Sequence, residues 1–149
     1  MSLKLEIIDP TRYEDWDDIV LSVPGFTFFH SSAWAKVLSE SYNCTPVYFM
    51  PFRQGKLVAV MPFMEVKSIL TGRRGVSLPF TDYSDPIMVD DIQLKDILKP
   101  VMDLGKKFKW KYLELRGNGS LLHDASPSVS YLGHILDLSE TEERLLSSC

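Results

Sequence analysis

The stretch from Thr45 to Val66 limits the fold more than any other. Thr45-Pro-Val-Tyr-Phe-Met-Pro-Phe-Arg53 and Lys56-Leu-Val-Ala-Val-Met-Pro-Phe-Met-Glu-Val66 are apolar segments of strand length on either side of Gln54-Gly55. A two-residue connection ending in glycine between such segments predicts a β-hairpin. Pro51 and Pro62 cannot donate to a ladder, so they predict bulges or an edge in this pair. A chain organised on a long antiparallel hairpin is not an all-helical bundle.

Helical signals flank the hairpin on both sides. Lys4-Leu-Glu-Ile-Ile8 alternates as a short strand, and Asp9-Pro10 breaks it. Thr11 predicts a helix cap, with Glu14 completing a capping box and Tyr13, Trp16, Ile19 and Val20 on one face. Ser31 or Ser32 caps a second predicted helix, Ala33 to Tyr42, with Trp34, Val37, Leu38 and Ser41 inward. Lys36 and Glu40 are four apart on its outer side, and Asn43 stops it. Thr71-Gly-Arg-Arg-Gly75 reads as a basic turn between strands. Asp90 or Asp91 starts a third helix, to about Lys107, with Met102 among its apolar residues and a kink expected at Pro100. Trp110 to Arg116 alternates as a strand, and Tyr131 to Leu138 reads as a last one. Ser139 is placed to cap a final helix over 140–146. Strands and helices are mixed, which predicts an α+β (mixed α/β) domain with a mostly antiparallel sheet flanked by helices.

Between the strands lies Gly75-Val-Ser-Leu-Pro-Phe-Thr-Asp-Tyr-Ser-Asp-Pro-Ile-Met-Val89, rich in prolines, aspartates and hydroxyls. Such a connection runs over the surface. Its centre, Ser77 to Ser84, either lines a cleft or merely joins two strands.

At 149 residues the chain has the size of one domain and can bury a core without disulfides. Its net charge of −4 argues against a general DNA- or RNA-binding surface. Cys44 and Cys149 have neither disulfide-framework nor metal-ligand spacing, which suits a reducing cytoplasm. The opening Met1-Ser-Leu3 runs straight into charged residues, so no signal peptide is expected. No apolar run approaches the ~20 residues of a membrane span.

Several residues carry chemistry worth placing. Asp82 and Asp85 invite an acid–base reading, although Asp85 precedes a proline and suits a turn. Arg73-Arg74 matches phosphate geometry but is as well explained by solvation. Lys36 reads first as a surface charge, and Arg116 as a strand-end residue that either faces a cleft or is structural. His30, His123 and His134 lack ligand spacing, so no metal site is expected. Ser31 beside His30 is explained by capping rather than catalysis. There is no nucleophile elbow, phosphate-binding glycine loop or dinucleotide fingerprint.

Four segments, taken in order, resemble a known family: Phe29-His-Ser-Ser-Ala-Trp-Ala-Lys36, Val58-Ala-Val-Met-Pro62, Ser77-Leu-Pro-Phe-Thr-Asp-Tyr-Ser84 and Tyr112-Leu-Glu-Leu-Arg116. Together they are similar to the N-terminal half of FemAB/FemX-like proteins, the aminoacyltransferases of peptidoglycan bridges, within the GNAT superfamily. The resemblance implies that residues 1–149 form one GNAT-like domain whose partner is a second, missing GNAT-like domain. It implies an acceptor that is a cell-wall precursor or polysaccharide, and a substrate-binding set of Trp34, Lys36, Asp82, Tyr83 and Arg116, with Lys36 near the acceptor's phosphates. Catalytic residues are not assigned. The donor of the complete enzyme would be aminoacyl-tRNA or acyl-CoA. This chain itself is expected to hold no cofactor, because the GNAT pyrophosphate motif is missing. A homo-oligomer is also expected to be possible, and so is a non-catalytic binding or scaffolding domain that keeps the fold.

Overall fold

The structure, a computed structural model, describes residues 3–81, 84–117, 125–133, 139 and 141–148. Strand β1 (Lys4–Ile8) leads to α1 (Trp16–Leu21), one 3-10 turn (Phe28–His30) and α2 (Ser32–Tyr42). The outgoing arm of the hairpin is β2 (Thr45–Pro46) and β3 (Tyr48–Arg53). Its return arm is β4 (Lys56–Leu57), β5 (Ala59–Val60) and β6 (Met64–Ser68). There follow β7 (Gly72–Val76), β8 (Ile87–Met88), α3 (Leu94–Lys107), β9 (Leu113–Glu114) and α4 (Glu142–Ser148).

The hairpin forms as expected. Gln54 and Gly55 both take positive φ, 53° and 77°, as a tight primed turn requires. Phe52 faces Leu57, and the Val58 amide donates to Pro51 O at 2.9 Å. By the bridge between Phe49 and Met61 the register has slipped. Ala59 and Val60 together oppose the single Met50, so the return arm bulges beside Pro51. The bulged pair turns its other edge to β8, where Ala59 meets Met88 and Val60 meets Ile87.

β1 pairs with β3, and β6 pairs with both β2 and β7, all antiparallel. Among the described residues only β7 and β9 run parallel, a pairing that needs a crossover, which β8 and α3 supply. The pairings form three sheets, β1-β3-β4, β2-β6-β7-β9 and β5-β8; the four-stranded one is mixed and the whole is mostly antiparallel.

Alternation along β3 explains its near-continuous apolar sequence. Tyr48 and Met50 enter a core with Val60 and Met64, closed by Trp16, Val20, Ala35 and Leu38 of α1 and α2. Val47 and Phe49 point the other way, with Ala59, Met61 and Phe63, against Leu94, Ile97 and Val101 of α3. A strand covered by helices on both faces has no polar side to keep.

Trp110 locks α3 to the sheet. Its indole Nε1 donates to Glu65 Oε2 at 2.8 Å in the interior. Its ring rests on Gly75 of β7 and Gly105 of α3, leaving no room for a β-carbon at Gly75. Burial pushes the Glu65 carboxyl up, but the Trp110 and Lys67 hydrogen bonds and the nearby Arg73 outweigh that and hold it below its usual value.

Several boundaries differ from the sequence expectation. Thr11 caps no helix: its amide and hydroxyl both donate to Asp9 Oδ1, at 2.9 and 2.7 Å, and α1 starts only at Trp16. In α2, Ala35 and Leu38 are buried and Trp34 half-buried, while Val37 and Ser41 are exposed. Residues 72–76 are a strand rather than a basic turn, because their amides and carbonyls pair with both β6 and β9. α3 starts at Leu94, runs as continuous helix past Pro100, and exposes Met102. α4 starts at Glu142. Residues 131–133 form no regular strand, and the remainder of that expected strand lies outside the described residues.

Candidate functional site

The connection from Ser77 to Pro86 leaves the sheet where parallel β7 and β9 end, and it is fastened at both ends. At its start, the Ser77 amide donates to Glu114 O at 2.9 Å. The Ser77 hydroxyl accepts from the Arg116 amide at 2.7 Å, carrying the β7–β9 ladder one step beyond its backbone pairing. At its end, the buried ring of His30 reaches Asp85 O, 3.1 Å from Nε2. The Thr27 amide donates to His30 Nδ1 at 3.2 Å, so Nδ1 is the acceptor and the proton sits on Nε2, which donates to Asp85 O. Burial holds the His30 pKa below its ordinary value, against the opposing pull of its hydrogen bonds to Asp85 and Thr27. The His30 carbonyl in turn accepts from Trp16 Nε1 at 2.9 Å, tying this anchor into the α1 core.

Between these anchors the backbone is strained. Leu78 and Phe80 take φ of 42° and 63°, a region that L-residues with bulky side chains rarely occupy. Leu78 is held there by complete burial and by the Thr81 hydroxyl, which donates to Leu78 O at 2.7 Å. Phe80 has no such burial. Its ring lies on Tyr42, the last residue of α2, with centroids 4.3 Å apart and planes at 33°. Tyr42 is 53% exposed and Phe80 60%, so the pair forms an aromatic platform open to solvent. The Ser84 hydroxyl is buried with no partner among the described residues.

The sequence candidates are distributed around this connection. Lys36 is exposed on α2 and pairs with Glu40 at 3.9 Å, the predicted one-turn spacing. Trp34, one turn from the helix start, packs edge-on to Phe29, and its buried Nε1 has no partner among the described residues. Arg116 pairs with Glu114 on its own strand face, Nε to Oε1 2.7 Å. No hydrogen bond or ion pair among the described residues joins Lys36 to Arg116. Asp82 and Tyr83 lie outside the described residues. Asp85 acts through its carbonyl toward His30, while its carboxylate packs so closely on Gly117 that no β-carbon fits there. Ser31 is a helix cap, accepting from the Trp34 amide at 3.2 Å. Arg73 and Arg74 lie on β7, the strand that leads into this connection.

Sequence reasoning missed three contributors: His30, Tyr42 and Phe80. The signal for His30 was its place directly before a capped helix, at the end of an apolar run. Nothing local marked Tyr42 and Phe80 as a pair. Among the described residues, no group of three or more His, Cys, Asp or Glu could hold a metal ion, and no helix is long and apolar enough to cross a membrane.

No family model matches the chain, and no curated protein matches it. Solved structures do. An aminoglycoside acetyltransferase from an uncultured soil metagenomic sample matches with TM-score 0.56 and 12% identity, covering 92% of this chain and 100% of that one. A GNAT family acetyltransferase from Staphylococcus aureus subsp. aureus matches with TM-score 0.55 and 10% identity, covering 91% and 100%. A ribosomal-protein-alanine N-acetyltransferase from Brucella melitensis biovar Abortus matches with TM-score 0.53 and 13% identity, covering 92% and 99%. Identities this low speak to architecture and not to substrate. Mostly antiparallel sheets with helices packed on both faces, matched along nearly the whole chain by such structures, show a GNAT-like fold.

Proposed function

We propose that this chain is the acceptor-binding, N-terminal GNAT-fold domain of a FemAB-like acyl- or aminoacyltransferase. Its acceptor is an amine on a cell-envelope glycan or peptidoglycan precursor, met in the cytoplasm. The observation that carries this reading is the Tyr42–Phe80 platform at the lip of a strained, doubly anchored connection. Exposed aromatic faces suit the apolar face of a sugar ring, and backbone strain collects where ligands are held. The fold adds that two of the similar structures are named as acetyltransferases of quite different acceptors, an aminoglycoside and a ribosomal protein.

Within this reading, Lys36 and Arg116 supply positive charge to the acceptor's phosphates, Trp34 supports the Lys36 end of α2, and Asp82 and Tyr83 complete the acceptor side. An acyl-CoA donor would need amide donors and positive potential at a helix start. Here α3 is preceded by Asp90 and Asp91, carries Asp96 in its first turn, and has no glycine turn before it. These residues do not fit a pyrophosphate, so the donor, acyl-CoA or aminoacyl-tRNA, belongs to the second GNAT-like domain. The same acidic helix start favours the alternative of a non-catalytic binding domain that retains the fold.

Calorimetry with a nucleotide-linked muropeptide tests the acceptor role. Binding is expected, and Lys36→Ala should weaken it by ~1–3 kcal/mol, the scale of a charge-assisted hydrogen bond. Absence of binding, or affinity indifferent to both Lys36→Ala and Phe80→Ala, refutes it.

A further inference from the structure

The tip of the β6–β7 hairpin holds two adjacent aliphatic side chains fully in solvent. Ile69 is 105% exposed and Leu70 91%. They are not loosely placed: the Ser68 hydroxyl accepts from the amides of Leu70 and Thr71, both at 3.3 Å, and fixes the turn beneath them.

Cations ring this tip. Lys67 and Arg73 are cross-strand neighbours just below it, on one face of the hairpin. Arg74 faces the other side and is tied to the turn through Thr71 Oγ1 at 2.8 Å. Lys111 enters from β9's side: its amide donates to Arg73 O at 2.9 Å, and its stem lies over Gly72, which takes φ 80° and leaves the space free. The nearby carboxylate is Glu65, which is buried and already bonded to Trp110 and Lys67. A chain of net charge −4 has thus gathered four cations around two exposed aliphatics.

We propose that this hairpin tip docks on an anionic phospholipid surface, with Ile69 and Leu70 inserted among the acyl chains and Lys67, Arg73, Arg74 and Lys111 against the headgroup phosphates. Apolar side chains at the interface with basic residues at headgroup level are the combination that holds a peripheral protein on such a membrane. A protein partner fits the tip less well. A stable interface buries about 1,200 Å² or more, whereas two side chains at a hairpin apex offer a point rather than a face. The proposal is independent of the acceptor reading, since no residue named for the acceptor lies at this tip.

Cosedimentation of the chain with vesicles of phosphatidylcholine, or of phosphatidylcholine mixed with phosphatidylglycerol, tests it. The chain should bind the mixed vesicles, not the neutral ones, and bind less as salt rises. The double variant Ile69→Ser, Leu70→Ser should weaken binding roughly tenfold or more, and Arg73→Gln or Lys111→Gln roughly fivefold each. Both aliphatics are exposed, so the double variant should keep the wild-type melting temperature. Failure of the wild type to bind mixed vesicles overturns the proposal. So does binding that is salt-sensitive but indifferent to the double variant, which would be surface charge alone. Light scattering supplies a further overturning result, namely a wild-type oligomer that the double variant converts to monomer without any vesicle binding.

Discussion

Replacing Gly75 by Ala should destabilise the domain, although the backbone itself would accept alanine. Gly75 lies in β7 outside the left-handed region, and there an alanine ordinarily gains about 0.5–1 kcal/mol over glycine. Against that, the new β-carbon would collide with the six-membered ring of Trp110. The indole has little room to retreat. Its ring packs on Phe108 at 5.5 Å between centroids, Phe49 and Phe63 lie at 6.3 and 6.4 Å, and Gly105 closes the α3 side. If the ring shifts but keeps Glu65, the loss is that of overpacking, ~1–3 kcal/mol. If it swings away, the hydrogen bond to the carboxylate is lost as well, another ~1.5–3 kcal/mol. Less the alanine gain, the middle of these ranges gives a net loss of about 1 kcal/mol if the ring shifts and about 3.5 kcal/mol if it swings away, read as a fall in urea midpoint at unchanged slope. A cycle with Trp110→Leu isolates the cause, since without the indole Gly75→Ala should become neutral or stabilising, a coupling of ~1–3 kcal/mol. A Gly75→Ala variant as stable as wild type, or an identical loss in the Trp110→Leu background, would refute the collision.

Two further outcomes follow from the site. The His30 pKa is lowered in the folded chain, so below its ordinary value of 6.5 the unfolded state binds the extra proton and stability falls with pH; above that value the contribution is constant. Urea midpoints should therefore drop as pH falls through and below 6.5, and His30→Gln should flatten that part of the profile at a lower overall stability; an unchanged profile counts against the buried neutral ring. Calorimetry at millimolar acetyl-CoA should show no useful binding, because Asp90, Asp91 and Asp96 surround the α3 start; clear micromolar affinity would sink this reading.

What was legible in the sequence was what local chemistry decides. Gln54-Gly55 could serve only as a tight turn, and Pro51 and Pro62 forced an irregular ladder, so the hairpin and its bulge followed. Ser31 and Asn43 bounded α2 for the same reason, the cap accepting from Trp34 and Asn43 turning left-handed at φ 54°. Distant packing was not legible. Gly72 and Gly75 read as turn punctuation, yet Gly75 is glycine because Trp110, thirty-five positions on, occupies the space of its side chain. Thr11 was a good cap in isolation, but Asp9 two residues earlier captured its amide and hydroxyl. The site shows the same division. Lys36 was visible as a partner for Glu40, whereas His30 became an anchor only through Asp85, on the far side of the hairpin in sequence.

Leu78 and Phe80 separate a strained residue whose packing accounts for the strain from one whose packing does not. Leu78 repays its positive φ with a fully buried side chain; Phe80 holds a similar strain for a ring that remains largely in solvent on Tyr42. The stack is worth about 0.5–1.5 kcal/mol, and a left-handed conformation costs an L-residue roughly 1–2 kcal/mol, so the pair contributes little to folding. Two substitutions make this measurable. Phe80→Ala removes the ring and keeps the strain. Phe80→Gly removes both and costs only the extra freedom of the unfolded chain, about 0.5–1 kcal/mol. Glycine should therefore be more stable than alanine at this position by up to about 1.5 kcal/mol, the reverse of the usual order in an extended segment. Both variants should lose affinity for a sugar-bearing acceptor alike, because both lack the platform. If alanine proves the more stable, the left-handed geometry at Phe80 is wrong; if either variant binds acceptor as wild type does, the strain serves something other than the acceptor.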